Sequence, residues 1–207
     1  MILKSYDPVF RAHAGRIPVA FLRALAMRES SLNPNENTSP AYGLMQLVNT
    51  VRLEYNQLRN THYSQSDLLN PDINVKIASD LLHRIMTAYA RHPDPNMQPN
   101  FSNPEFVKLL VAGWNSGYSE GGGVGKVARY LEARGLPVTH DNVFANAGAA
   151  GATTHLQNAQ KKAWQRSVAD LYFSQPDAGK VSLDTSFWAK VGITTAVALL
   201  AARYLFR

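Results

Sequence analysis

The chain has 207 residues, 45% hydrophobic and 17% charged, which suffices for one solid core and is too little for two comfortable domains. Its 21 lysines and arginines against 15 acidic residues give a formal charge of +6. That charge favours an anionic partner, whether nucleic acid, a lipid surface or an acidic wall polymer, without choosing among them. The absence of cysteine excludes disulfide frameworks, zinc-thiolate sites, iron–sulfur clusters and thiol nucleophiles.

The opening residues, Met1 to Pro8, are mixed in character and lack the basic start and apolar run of a secretory signal, so no signal peptide is expected. The chain beyond Pro8 reads as helices with almost no strand signal. Pro18 suits a first helical turn, and Ile17, Phe21, Leu22 and Leu25 form the apolar stripe of a helix ending near Ser30. Asn70-Pro71 is a cap followed by a first-turn proline, after which Ile73, Ile77, Leu81, Ile85 and Tyr89 recur every fourth residue. Asn103-Pro104 repeats that start before Phe106, Val107, Leu110 and Trp114, and Asn115-Ser116-Gly117 ends the helix. His92 to Asn103, with Pro93, Pro95 and Pro99, reads as a surface loop. A short helix is predicted from about Val124 to Arg134, an Ala- and Gly-rich loop from Asn142 to Gly151, and a helix from about Thr154 to Phe173.

The C-terminal part has a different character. Residues 174–186 carry Pro176, Gly179 and several turn formers and read as a linker. Residues 187–206 are apolar apart from Lys190 and Arg203. Such a helix is about 30 Å long, the thickness of a bilayer core. Both cations lie near its ends, where long side chains reach the headgroups, and Trp188 and Tyr204 occupy interfacial positions. The expectation is membrane association through this segment, against the alternative of an ordinary buried C-terminal helix. The domain plan is thus a body over 1–173, a linker over 174–186 and a hydrophobic helix over 187–206.

Several motifs fail on inspection. The glycine-rich run Gly121 to Lys126 lacks the first glycine and the Ser or Thr of a phosphate loop, Glu120 and Val127 standing there instead, and reads as a turn into a helix. The six histidines include no zinc-protease helix pair, and no G-x-S-x-G elbow occurs. One carboxylate stands out. If the first helix continues through Glu29, that residue lies four after Leu25 and seven after Leu22, on the face that packs inward. Burial would raise its pKa and let it donate a proton near neutral pH. On the residues alone the plainer reading is a solvent-edge glutamate at a frayed helix end, or one paired with Arg28 or Lys76.

Arg28 to Pro34 (RESSLNP), Ala41 to Gln46 (AYGLMQ) and Val111 to Gly117 (VAGWNSG) resemble, in order and spacing, the three signatures of the soluble lytic transglycosylase family, relatives of goose-type lysozyme. Leu68 to Asn74 (LLNPDIN) is similar to that family's intervening helix start. The resemblance spans about Tyr6 to Tyr130, with weaker support to Phe173. It implies an all-α domain, or α with a minor β-hairpin, of lysozyme-like fold.

The resemblance further implies cleavage of the β-1,4 bond between N-acetylmuramic acid and N-acetylglucosamine in peptidoglycan. Glu29 would act first as general acid and then as general base, closing the muramoyl C6 hydroxyl onto C1 as a 1,6-anhydro sugar. Ordinary glycosidases need a second carboxylate; here Glu36 shows no reason to face a cleft, though Glu54 or Asp72 can arrive through folding. By the same resemblance Tyr42, Gly43, Met45 and Gln46 bind substrate, Ser30 orients Glu29 or the sugar, and Asn115 matches the asparagine of the family's Tyr-Asn-Ala-Gly signature. Trp114 replaces that tyrosine and Pro40 a usual glycine. An indole keeps an apolar wall and loses the phenol hydroxyl, and plain core packing is the other reading of Trp114.

No cofactor or metal is expected, and no nucleic acid, since no basic run interleaved with aromatics appears. The partners expected are peptidoglycan, the membrane through the tail, and other virion proteins. A missing signal peptide with an apolar tail suggests a phage enzyme carried in the virion and delivered to the bacterial envelope for genome ejection; the alternative is a bacterial envelope protein. A lysozyme-like muramidase and a non-catalytic wall-binding virion protein are the competing functions.

Overall fold

The computed structural model describes residues 5–180. The expected membrane-associated segment, 187–206, lies outside the described residues, and among those described no helix is long and apolar enough to cross a membrane. The described chain forms eight α-helices: α1 (Asp7–His13), α2 (Val19–Ser30), α3 (Asn49–Arg59), α4 (Pro71–Tyr89), α5 (Pro104–Ser116), α6 (Val124–Glu132), α7 (His140–Asn146) and α8 (Ala159–Phe173). Between α2 and α3 run three antiparallel two-residue strands, β1 (Asn37–Thr38), β2 (Ala41–Tyr42) and β3 (Leu47–Val48). Thr38 pairs with Ala41, and Tyr42 with Leu47. The expected helical body with a minor hairpin is therefore present, the hairpin carrying one strand more.

The helix starts follow capping chemistry. The side chain of Asn70 accepts from the Asp72 N–H at 2.9 Å, and that of Asn103 from the Glu105 N–H at 2.9 Å, each satisfying a donor that the helix itself leaves free. Asn158 caps α8 in the same way, accepting from the Lys161 N–H at 3.0 Å. Helix α7 corrects the expected Ala- and Gly-rich loop at 142–151. Thr139 caps it, accepting from the Asn142 N–H at 3.1 Å, and Val143 drives its inner face into the core. A seven-residue helix built from poor helix formers exists through such tertiary contacts rather than propensity.

Helix α2 is enclosed on all sides: every residue from Val19 to Ala26 is buried, not only the apolar stripe. It packs against α1 and α8, while α5 packs against α4 and α8. Phe21, Phe101, Phe106 and Tyr172 join these layers in edge-on contacts, with ring centroids 5.3–6.3 Å apart, a geometry that matches each ring's positive edge to its neighbour's negative face.

Arg23 is the charged exception within this buried stretch. It is 1% exposed, and its guanidinium donates to both Asp7 carboxylate oxygens at 2.8 Å, to Asp177 at 3.1 Å and to the Gln175 carbonyl. Burial opposes its charge, and the hydrogen bonds and charges of Asp7 and Asp177 outweigh that, holding its pKa above the ordinary arginine range. These contacts revise the expected linker at 174–186: its described part, 174–180, is docked on the body. Gln175 also donates to the Ala20 carbonyl at 2.8 Å, and the Gly179 N–H donates to the Tyr172 hydroxyl at 2.6 Å.

A second buried polar side chain sets the hairpin against the body. Asn74 on α4, fully buried, accepts from the Met45 N–H at 2.7 Å and donates to the Leu68 carbonyl at 2.8 Å and the Tyr42 carbonyl at 3.0 Å. Gly43 passes so close that a Cβ there would stand 2.0 Å from the Leu68 carbonyl oxygen and 2.6 Å from the Asn74 amide nitrogen, with φ at +77°; only glycine fits such a position. Removing the clasp strands three backbone groups away from water. Asn74→Ala is expected to lower stability by about 2–4 kcal/mol in urea unfolding, and a loss under about 0.5 kcal/mol would show that water replaces the amide.

Candidate active site

The last turn of α2 carries Glu29, and the chain then turns sharply, Ser31 and Leu32 both adopting left-handed backbone, with φ of 55° and 64°. Glu29 is half-buried, in line with the inward face that the Leu22–Leu25 spacing predicts. Across from it, α5 presents Trp114, whose indole Nε1–H donates to Glu29 Oε1 at 2.6 Å. Glu29 is therefore neither a frayed-end glutamate nor a partner of Arg28 or Lys76.

Burial pushes the Glu29 carboxyl up to about 7; the hydrogen bond from Trp114 and the charge of Lys161 pull it partly back. Its place at the C-terminal end of a helix works in the same direction as burial, because the dipole there disfavours an anion. A carboxyl near pKa 7 is half protonated at neutral pH, the condition for giving and taking a proton there. An indole nitrogen donates and never accepts. With Oε1 held by that donor, the proton of the neutral acid belongs on Oε2. The indole that stands where the resemblance implies a phenol thus brings a donor of its own to Glu29.

Asn115 sits beside Trp114 on α5 and is held from α8. Its side-chain carbonyl accepts from Gln165 Nε2 at 3.3 Å and from Lys161 Nζ at 3.4 Å. Gln165, fully buried, donates also to Ser116 Oγ at 3.2 Å and lies 2.9 Å from His140 Nε2.

The remaining expected substrate residues build the hairpin rather than touching Glu29. Ser30 is buried, and its hydroxyl donates to the Leu44 carbonyl at 2.8 Å, with the Ala26 carbonyl at 3.2 Å. It ties the hairpin to the end of α2 and makes no hydrogen bond to Glu29. Met45 corrects an expectation: its side chain is fully buried in the core, closed to a sugar, and what it offers the site is its backbone N–H to Asn74. Gln46, with φ of 47°, turns its amide inward, donating to the Gly43 carbonyl at 2.9 Å and the Glu36 carbonyl at 3.2 Å, so those donors close the turn instead of meeting an acetamido group. Tyr42 is half-buried at the core edge, its carbonyl held by Asn74. Gly43 makes a close approach to the body at Leu68 and Asn74.

Asn74, Lys161 and Gln165 complete the site's framework, and sequence reasoning does not single them out. Asn74 has a signal, a polar residue flanked by Ile73 and Val75 on an inward helix face; so has Lys161, a cation in a helix's first turn. Two hollows elsewhere, of about 390 Å³ beside His92 and Glu132 and about 370 Å³ beside Arg59 and Arg84, contain neither Glu29 nor Trp114.

The other carboxylates that could partner Glu29 are engaged elsewhere. Glu36 accepts from Thr38 Oγ1 at 2.5 Å and from Asn33 at 3.3 Å, Glu54 pairs with Arg84 at 2.7 Å, and Asp72 with His13 at 2.7 Å.

Comparison with known proteins bears on the family and the fold. The model of the transglycosylase SLT domain matches residues 9–126. No curated protein sequence matches the chain. Among solved structures, the fold is similar to the 70 kDa soluble lytic transglycosylase of Escherichia coli, at 18% identity and a TM-score of 0.57, over 88% of this chain and 26% of that one. A complex of the 70 kDa soluble lytic transglycosylase with bulgecin A gives 18% identity and a TM-score of 0.56, over 87% and 26%. The chain thus spans about a quarter of the length of these proteins.

The raised Glu29 pKa has a stability consequence. Between the ordinary 4.5 and about 7 the folded state binds a proton that the unfolded chain has released, so stability falls as pH rises through this window. Glu29→Gln removes the liability. Calorimetry should find the variant more stable than wild type at pH 8, by up to about 3 kcal/mol, with little difference at pH 4.5; an equal effect at both pH values would mean that burial leaves the carboxyl unshifted.

Proposed function

Since the chain belongs to the transglycosylase SLT domain family, we propose that it cleaves the β-1,4 bond between N-acetylmuramic acid and N-acetylglucosamine in peptidoglycan. The observation that carries the reading is Glu29, half-buried, held by Trp114 and poised near pKa 7. Its Oε2 proton goes to the glycosidic oxygen, and the bond from that oxygen to the muramoyl C1 breaks with developing oxocarbenium charge. The resulting Glu29 carboxylate then takes the proton of the muramoyl C6 hydroxyl as its oxygen bonds to C1. The glycan ends as a 1,6-anhydro sugar and Glu29 is again protonated.

Closure by the substrate's own hydroxyl is favoured over hydrolysis because Glu36, Glu54 and Asp72 are committed to other partners, whereas a hydrolase needs a second carboxylate to hold water or to act as nucleophile. The formal charge of +6 suits a polymer carrying peptide carboxylates. For delivery, we propose a virion-borne enzyme that opens the wall locally for phage genome ejection, held at the envelope by the apolar stretch 187–206. The sequence of that stretch supports this reading, and finding the protein in purified particles tests it.

The cleavage itself is tested by mass spectrometry of soluble muropeptides released from purified peptidoglycan by wild type and by Glu29→Gln. The expected products are one water lighter than hydrolysed ones, end in 1,6-anhydro sugar, and are missing from the variant's digest. Hydrated reducing ends would make the protein a muramidase, and no release by folded wild type would leave wall binding as its function.

A further inference from the structure

Three donors converge on one oxygen of the residue that follows Trp114. Asn115 Oδ1 accepts from Gln165 Nε2 at 3.3 Å, from Lys161 Nζ at 3.4 Å and from Ser116 Oγ at 3.4 Å. An ammonium only donates, so the Asn115 atom turned towards α8 is the carbonyl oxygen, and the Gln165 atom that meets it is the NH2. The far end of Gln165 is fixed in the same way: its Oε1 lies 2.9 Å from His140 Nε2, which therefore carries the ring proton. His140 Nδ1 is buried and has no hydrogen-bond partner among the described residues. From His140 on α7, through Gln165 on α8, to Asn115 on α5, the donors all point one way.

Such a network is costly where it lies. Gln165 is fully buried, His140 is 1% exposed and Ser116 7%, and polar groups in such places are expensive relative to apolar packing. Its end point is different. Asn115 is half-buried, and its Nδ2 has no hydrogen-bond partner among the described residues. The network therefore produces one amide with its carbonyl occupied and its NH2 turned away, on the residue adjoining the indole that holds Glu29. Gln46, by contrast, closes its own amide on the Gly43 and Glu36 carbonyls.

We propose that Gln165 is a positioning residue for glycan cleavage: it holds the Asn115 side chain in the orientation that offers the NH2, a donor, to an acceptor oxygen of the bound sugar. The inference rests on the glycan-cleaving reading given above. Left to itself, an asparagine amide turns broadly about its terminal torsion and presents carbonyl or NH2. Lys161 does not fix it alone, because its ammonium rides on a flexible four-carbon stem. Ser116 does not either, since its hydroxyl is itself held by Gln165, at 3.2 Å. Gln165 does, being enclosed and gripped at both ends. It acts through Asn115 and makes no hydrogen bond to Glu29.

The test is a double-mutant cycle on kcat and KM for soluble, uncrosslinked peptidoglycan strands, with wild type, Gln165→Met, Asn115→Ala and the double variant, and a thermal melt on each. Gln165→Met keeps the length of the side chain and removes both hydrogen-bonding ends. Each single substitution should lower kcat/KM by roughly three- to tenfold, and in the Asn115→Ala background Gln165→Met should cost nothing further. Losses that multiply, as two separate structural defects would, overturn the inference, as does full activity in folded Gln165→Met. If Gln165→Met does not fold, Gln165→Asn, one methylene too short to reach Asn115, takes its place in the cycle. The Asn115 side-chain NH2 resonances give a second reading in Glu29→Gln titrated with the same strands: they should shift on binding, and resonances unmoved at saturation overturn the inference. Wild type that cleaves no glycan would refute the acid/base reading of Glu29 by itself, while these resonances still report whether Asn115 donates to the sugar.

Discussion

The hydrogen bond from Trp114 Nε1 to Glu29 Oε1, at 2.6 Å, joins the end of α2 to α5, and the proposed chemistry depends on it. A carboxyl buried without a donor would keep its proton too well to be a useful acid near neutral pH, and one open to water would lose it too early. The indole supplies an intermediate condition, an apolar wall that desolvates and a single donor that partly compensates. Because that donor cannot accept, it also fixes which oxygen carries the proton.

Most of the surrounding structure holds the two ends of this contact still. Helix α2 is enclosed along Val19–Ala26, so Glu29 projects from a helix with little freedom to shift. Arg23 binds that helix to Asp7 before it and to Gln175 and Asp177 beyond α8. Asn74 and Ser30 fix the hairpin to α4 and α2. On the other side, Gln165 holds Asn115 and Ser116 and keeps Trp114 in register. Buried polar groups do this work at the cost of desolvation, which is recovered because each finds several partners.

What the sequence reveals and what it hides divides along physical lines. The starts at Asn70-Pro71 and Asn103-Pro104 are legible because capping is local, and Glu29 because its spacing from Leu22 and Leu25 puts it on the inward face. Helix α7 is hidden because poor formers are held there by tertiary packing. The docking of 174–180 is hidden because Arg23 meets partners about 150 positions away in the chain. Met45 and Gln46 face inward although their motif suggests a ligand, because a short turn does not reveal which side chains point into the body. The sequence marks the indole of Trp114 for its wall and stacking face; that its N–H meets the Glu29 carboxyl emerges only from the distance.

The proposed role of Glu29 as an acid near neutral pH, set there by burial and Trp114, is read out by the pH dependence of kcat/KM for peptidoglycan cleavage by wild type. The predicted profile has an alkaline limb centred at about 7, where the Glu29 carboxyl loses its proton. A limb near 4.5, the ordinary value for a glutamate, or a rate that stays level well above neutrality, would contradict it.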